Sequence, residues 1–193
     1  MESNTRPAGQ EEENEMISIG IDPGKSGYVV MIHDVMGIIL HRETPIIKVG
    51  KTKPQFDVSG MAKTLDDVRM LKDADGRFLT NNSFVGDITI IEKQQAMPGQ
   101  GVSSTFQIGY GFGLWEGIVA EKGIPYVIVH PRTWKKEMLR DIPGTDQKGR
   151  SIIAAQRLYP NFDLKRTERC RKPDHNKAEA LLLARYGMDH LHK

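Results

Sequence analysis

Apolar positions along this chain fall first into short continuous runs and later into runs of helical period. "MISIGID" (16–22) is an apolar run of strand length that ends in Asp22-Pro23-Gly24, and "GYVVMIHD" (27–34) follows after a Gly-rich turn. "GIILHRETPII" (37–47) continues as a third strand, so the pattern predicts an antiparallel meander. "KVGKTKPQ" (48–55) is a basic loop with Gly and Pro. In "DVSGMAKTLDDVRMLKD" (57–73), Val58, Met61, Leu65, Val68 and Leu71 recur at helical spacing.

"ITIIE" (88–92) is a short apolar strand ending in Glu92, and the loop "QAMPGQGVSS" (95–104) separates it from a helical stretch, "TFQIGYGFGLWEGIVAEKG" (105–123). There Ile108, Phe112, Trp115 and Val119 share one face, and Gly109, Gly113 and Gly117 form a second stripe. Glycine is a poor helix former, so the stripe implies close approach of another backbone, from the sheet or from a second subunit. "IPYVIVHP" (124–131) reads as a buried strand, "RTWKKEML" (132–139) as a short helix, and "GTDQKGRSIIAAQRLY" (144–159) as turn residues followed by a helix. The last helix begins near Pro173 and carries Ala178, Leu181, Leu182 and Tyr186 on one side. An early meander followed by alternating strands and helices predicts an α/β sheet with helices on its faces.

The 193 residues fit one domain, with 1–15 expected as a flexible acidic tail and 16–193 as the folded unit. A hydrophobic share of 38% with two tryptophans argues for a packed core and against disorder. The single cysteine, Cys170, cannot close an intramolecular disulfide, which suits a reducing, cytoplasmic setting. The polar first fifteen residues resemble neither a signal nor a transit peptide. No run approaches the roughly 18 apolar residues of a membrane span, so the expectation is a soluble protein with no membrane partner.

The formal net charge of +2 hides a partition. Residues 1–16 carry five glutamates against Arg6, whereas residues 130–173 carry twelve Lys and Arg against five Asp and Glu. Such a local surplus suits a polyanionic partner, or a solvated basic face.

Acids stand at the ends of three elements: Asp22 after the first strand, Glu92 after "ITIIE", and Asp174 and Glu179 around the start of the last helix. Asp22 also suits a turn, Glu92 a strand emerging into solvent, and Asp174 an N-cap. Glu179 is different, because "AEALLLA" is otherwise apolar. If the first strand and the Glu92 strand are sheet neighbours, their carboxylates emerge together and repel unless a cation lies between them. Hard divalent ions such as magnesium take oxygen ligands and engage substrate phosphates, and two such ions serve phosphodiester cleavage.

The ordered motifs "IGIDPGKSG", "IIEKQ", "GYGFGLW" with "WKK", and "KPDHNKAEALLLARYG" resemble the RuvC-type Holliday-junction resolvases of the RNase H-like superfamily, most closely the phage and chloroplast members, from about Ile17 to Gly187. The resemblance implies a five-stranded mixed sheet, its first three strands antiparallel, flanked by helices. It also implies a homodimeric endonuclease of four-way branched DNA in a bacterial or phage-infected cell, each subunit nicking one of two symmetry-related strands. Mg2+, or Mn2+, would serve at two ions per active site. By motif, Asp22, Glu92 and Glu179 match the family's acids. Bacterial members usually place Asp or His three positions before the last acid, where this chain has Asn176; the chloroplast-like pattern has an Asp-His pair, here Asp174 and His175.

Helix geometry leaves that choice open. His175 and Glu179, four apart, share a face, whereas Asp174 and Glu179 are about 140° apart at 3.6 residues per turn, a limit that does not bind an N-cap. Asp174 is the favoured ligand, with His175 as a second candidate on a metal or as a proton shuttle.

Lys93 and Lys177 adjoin these acids and are candidates for scissile-phosphate contact. Lys48, Lys51 and Lys53 in the early loop, Lys135 and Lys136 beside Trp134, and the "KRTERCRK" run (165–172) are candidates for other phosphates, and ordinary solvent exposure explains each equally well. Met97, in the Gly-rich loop after Glu92, is either a mobile surface residue or a wedge at a base step. The sequence leaves any helicase partner undetermined.

Three rival functions remain. "IGIDPGKSG" also resembles the first phosphate loop of actin-like ATPases and sugar kinases, but 193 residues leave no room for their second domain. A related nuclease acting on RNA or on other branched DNA is closer, as is a branched-DNA-binding protein without catalysis.

Overall fold

The computed structural model describes residues 16–48, 50–51, 53–70 and 88–190. The expected acidic tail and Leu71 lie outside the described residues. Strands β1 (Ile17–Ile21), β2 (Tyr28–His33) and β3 (Gly37–Glu43) form the antiparallel meander, while β6 (Ile88–Glu92) and β7 (Tyr126–Val129) add to it in parallel. The resulting five-stranded mixed sheet has the order β3-β2-β1-β6-β7, as expected. β1 and β2 are buried throughout, which is why both read as uninterrupted apolar runs.

Helices cover both faces. Helices α1 (Val58–Arg69) and α2 (Val102–Glu121) lie on one, where Met61, Leu65, Trp115 and Val119 pack against Ile17, Ile19, Ile21 and Ile91. On the other, α5 (His175–His190) packs with α3 (Pro131–Met138) and α4 (Gln147–Leu158) against Val30, Ile32 and Ile90. Period-2 alternation in β1 sorts its residues between the two faces: three isoleucines on one side, small Ser18 and Gly20 on the other.

The small side chains let α5 lie directly on β1. A Cβ at Gly20 would collide with the backbone of Ala180 and Ala184, and one at Gly187 would collide with Ser18 Oγ. Residues 177–184 of α5 are consequently buried all round.

Four expectations need correction. "GIILHRETPII" is two strands: after Pro45 the chain leaves the main sheet, and β4 (Ile46–Ile47) pairs antiparallel with β5 (Gln55–Phe56) in a separate two-stranded sheet. The basic loop therefore links a hairpin. β7 is an edge strand and is not fully buried, with Val127 38% and Ile128 36% exposed. α2 begins at Val102, drawing in the last residues of the loop before it. Finally, Gly109, Gly113 and Gly117 face open space among the described residues, so the stripe does not pack on the chain's own sheet; there the close approach belongs to Gly111, where an added Cβ would lie 2.8 Å from Pro23 O and would collide with the Phe56 ring.

None of the described helices is long and apolar enough to cross a membrane. Gly20→Ala tests the helix-on-strand contact. The methyl must displace backbone, so the variant is expected to lose about 1–3 kcal/mol or more in urea unfolding; an unchanged midpoint would show that α5 is not held this close.

Candidate functional site: three acids over the sheet edge

Parallel pairing sets two carboxylates side by side. Ile21 stands opposite Ile91 in the β1–β6 register, so Asp22 and Glu92, each the next residue, emerge from the same edge of the sheet. Close contact of α5 with β1 brings Glu179 to the same place. All three acids are buried, at 7–8% exposure.

Their partners are specific. Glu92 Oε1 accepts from Trp134 Nε1 at 3.1 Å, and Oε2 accepts from Gln94 Nε2 at 3.1 Å. Glu179 Oε1 accepts from Lys135 Nζ at 2.9 Å and lies 3.0 Å from Ser151 Oγ. The Lys135 ammonium is 4.0 Å from Glu92 Oε1 as well. Among the described residues, Asp22 Oδ1 receives only a long contact from Gly24 N–H, at 3.4 Å.

Burial raises the Asp22 pKa to about 8, with the Glu92 and Glu179 charges adding to the effect and the Gly24 N–H and Lys135 opposing it. Glu92 is raised for the same first reason; Lys135 draws it back and Glu179 pushes it further up. Among the described residues, the three acids therefore share one ammonium, and the group lacks positive charge.

The start of α5 belongs to a different network. Asp174 caps the helix, its Oδ1 accepting from Asn176 N–H at 2.9 Å, and its other oxygen lies 3.9 Å from Arg166, which pairs with Glu43 at 2.9 Å. His175 is half-buried at the first helical position. Lys177 is turned inward: its ammonium donates to Asp163 O at 2.7 Å and Lys165 O at 3.2 Å and lies 4.7 Å from the Phe162 ring centre. It is thus committed to holding the 163–165 segment, away from the three acids.

The remaining candidates lie on the surface. Lys93, Lys51, Lys53 and Lys136 are exposed, as is Met97 at 63%. Lys135 differs from its expected surface role, because it reaches inward to the acids. It also lines a cavity of about 420 Å3 whose wall includes Arg132, Lys136, Arg140 and Arg150 and, among the described residues, no acid. Arg150 donates to Ile142 O and Leu139 O and so fixes the turn between α3 and α4.

Motif reading missed the contacts that Trp134, Lys135 and Ser151 make with these acids, having offered Lys135 only as a surface candidate. A topological signal was available: Glu92 pairs with Val129, so the helix after β7 must begin over the Glu92 end of the sheet.

Oxygen-only donors with too little positive charge around them fit a hard divalent cation by chemistry. Among the described residues, no group of three or more His, Cys, Asp and Glu side chains is gathered tightly enough to hold a metal as it stands. The Lys135 ammonium lies between Glu92 and Glu179, so a cation there requires this side chain to withdraw. The fit is one of donor type and charge, with a side-chain movement outstanding.

No family model and no curated protein matches the chain. Solved structures do. The fold is similar to that of Thermus thermophilus RuvC at a TM-score of 0.56 and 17% identity, over 91% of this chain and 95% of that one. T. thermophilus RuvC in complex with Holliday junction substrate matches at 0.56 and 15%, over 91% and 94%. The chain has a RuvC-like fold.

The acids make the metal-free protein sensitive to pH. With its folded pKa raised from 3.8 to about 8, Asp22 holds its proton more tightly folded than unfolded. Its contribution is therefore fully favourable below about pH 4 and is lost as pH rises through about 8. In chelator, Asp22→Asn is expected to outlast wild type in thermal unfolding by a margin that widens from pH 4 to pH 8. A constant margin, or a less stable variant, would contradict the crowding of these acids.

Proposed function

We propose that the chain is a metal-dependent endonuclease that resolves four-way DNA junctions by paired symmetrical nicks. The observation that supports it most is the trio of buried carboxylates at one sheet edge, on a fold whose solved relatives include a RuvC bound to a Holliday junction. Asp22, Glu92 and Glu179 would hold Mg2+ or Mn2+, two ions per site, with Asp174 or His175 as the further ligand once the helix-start network with Arg166 rearranges. Bound there, the ions supply a nucleophilic water and stabilise the leaving oxygen of an in-line displacement.

The chain's own groups divide the remaining work. Trp134 and Gln94 fix the two oxygens of Glu92, and Ser151 steadies Glu179. A supporting shell of this kind keeps ligands oriented. Lys135 offsets part of the acids' charge before substrate arrives; swinging into the basic cavity it lines, it is positioned to meet a DNA phosphate. Arg132, Lys136 and Arg140 make that cavity a track for the backbone, giving salt-sensitive affinity. Symmetrical nicking needs two sites, and the exposed glycine face of α2 is the surface on which a second copy would pack.

The test is incubation with a mobile four-way junction and magnesium, beside linear duplex and a Glu179→Gln variant. Expected are paired nicks in the junction alone, lost in the variant by more than the roughly 10- to 100-fold typical of groups that only support a ligand. Tight junction binding without nicks in either Mg2+ or Mn2+ would overturn the catalytic reading and leave a branched-DNA-binding protein.

A further inference from the structure

The chain between α4 and α5 forms an arm that is tied at its base. Lys165 and Pro173 make an antiparallel bridge, and Asp174 N–H donates to Leu164 O at 2.8 Å. Leu164 is buried, and Lys177 of α5 grips the same stretch through Asp163 O and Lys165 O. At the tip, Cys170 N–H closes a turn on Thr167 O at 2.9 Å, and Arg169, Arg171 and Lys172 are exposed beside Glu168. The arm is thus a basic surface fastened to the first turn of α5.

Arg166 occupies the base of this arm. One nitrogen of its guanidinium lies 2.9 Å from Glu43 Oε2 and the other 3.9 Å from Asp174 Oδ2. Glu43 is anchored in turn, its other oxygen accepting from the O–H of buried Tyr28 at 3.2 Å. Tyr28 stands opposite Asp22 across the β1–β2 ladder, and its carbonyl accepts from Asp22 N–H at 3.0 Å. The network therefore ends one strand away from the three acids. Asp174 is held in it by the Asn176 N–H and by the guanidinium, with its side chain 12% exposed.

We propose that Arg166 is a positioning residue: it keeps Asp174 on its helix cap until a DNA phosphate draws the guanidinium away, so that Asp174 turns to the other acids only in the DNA-bound protein. The side chain of Arg166 is 33% exposed, at the foot of a surface that suits the DNA backbone. A guanidinium pairs with phosphate through two parallel N–H donors, so phosphate competes well with a half-exposed carboxylate such as Glu43. Once Arg166 leaves, Asp174 is a largely buried carboxylate short of positive charge. The inference rests on the junction-nuclease reading and deepens it. It makes cation affinity and DNA affinity depend on each other, and it assigns the further ligand to Asp174 in place of His175.

Two measurements on full-length protein test this. In Mn2+ titrations without DNA, read by electron paramagnetic resonance, Arg166→Gln is expected to bind about 5-fold or more tightly than wild type, the lower end of ordinary coupling between sites. Asp174→Asn alone should change nothing, and adding it to Arg166→Gln should remove the gain. Arg166→Lys, which keeps the charge, should stay close to wild type. In the second measurement, Ca2+ is expected to tighten binding of a labelled four-way junction to wild type by roughly 5- to 150-fold. The tightening should be distinctly smaller in Arg166→Gln, whose site fills without DNA, and in Asp174→Asn, which lacks the ligand.

A gain in Mn2+ affinity that survives Asp174→Asn would report only the loss of a nearby charge and would overturn the proposal. Equal tightening by Ca2+ in all three proteins would overturn it as well. Wild type that binds Mn2+ and nicks junctions, with no coupling to Arg166, removes this inference and leaves the nuclease reading intact. Wild type that binds no Mn2+ with or without a junction removes both.

Discussion

Everything at the candidate site depends on one contact, the backbone of α5 lying against β1 at Gly20. The strand offers only Ser18 and Gly20 on that side, and no side chain separates helix from sheet. A helix pressed this closely loses its solvent face, so residues 177–184 are almost all Ala and Leu. The same closeness carries Glu179 from the helix to the strand end where Asp22 and Glu92 emerge. Packing here determines chemistry: the apolar helix is what delivers a carboxylate into a buried, already acidic position.

That position is costly for a folding chain. Burial and mutual repulsion raise Asp22 well above an ordinary carboxylate and raise Glu92 as well, and among the described residues a single ammonium, Lys135, offsets part of the charge. Strained or under-compensated groups of this kind persist where function needs them and the surrounding structure over-determines them. Trp134, Gln94 and Ser151 provide that over-determination with hydrogen bonds aimed at individual oxygens. Lys135 links the acids to the basic cavity, because one side chain both pairs with Glu179 and lines that cavity.

Much of the fold could be read from the chain because β1, β2 and β6 are buried on both faces and announce themselves as apolar runs, and because the acids stand at the ends of those runs. Glu179 was legible as the one charged residue in the apolar stretch from Ala178 to Ala184. Other features are invisible to local pattern. Pro45 ends β3 by denying the ladder a donor, yet the apolar pair after it, Ile46 and Ile47, reads as continuation. β7 is apolar like a central strand although it lies at the edge. In α2 the visible pattern is three glycines at four-residue intervals, whereas contact is made by Gly111 between them, since packing depends on where the turn at Pro23 comes. The inward turn of Lys135 and Lys177 follows from which acceptors the fold brings near, information that no spacing rule contains. The family resemblance agrees with the RuvC-like fold and with the grouping of Asp22, Glu92 and Glu179, and Asp174 is found capping its helix beside Arg166.

The central claim is that the three acids form a cation site for which Lys135 substitutes. Titration of the full-length protein with Mn2+, following free ion by electron paramagnetic resonance, tests it directly. The account predicts saturable binding that Asp22→Asn abolishes and Lys135→Met tightens, because the competing ammonium is gone. Binding that is absent, or that is indifferent to both substitutions, would contradict it.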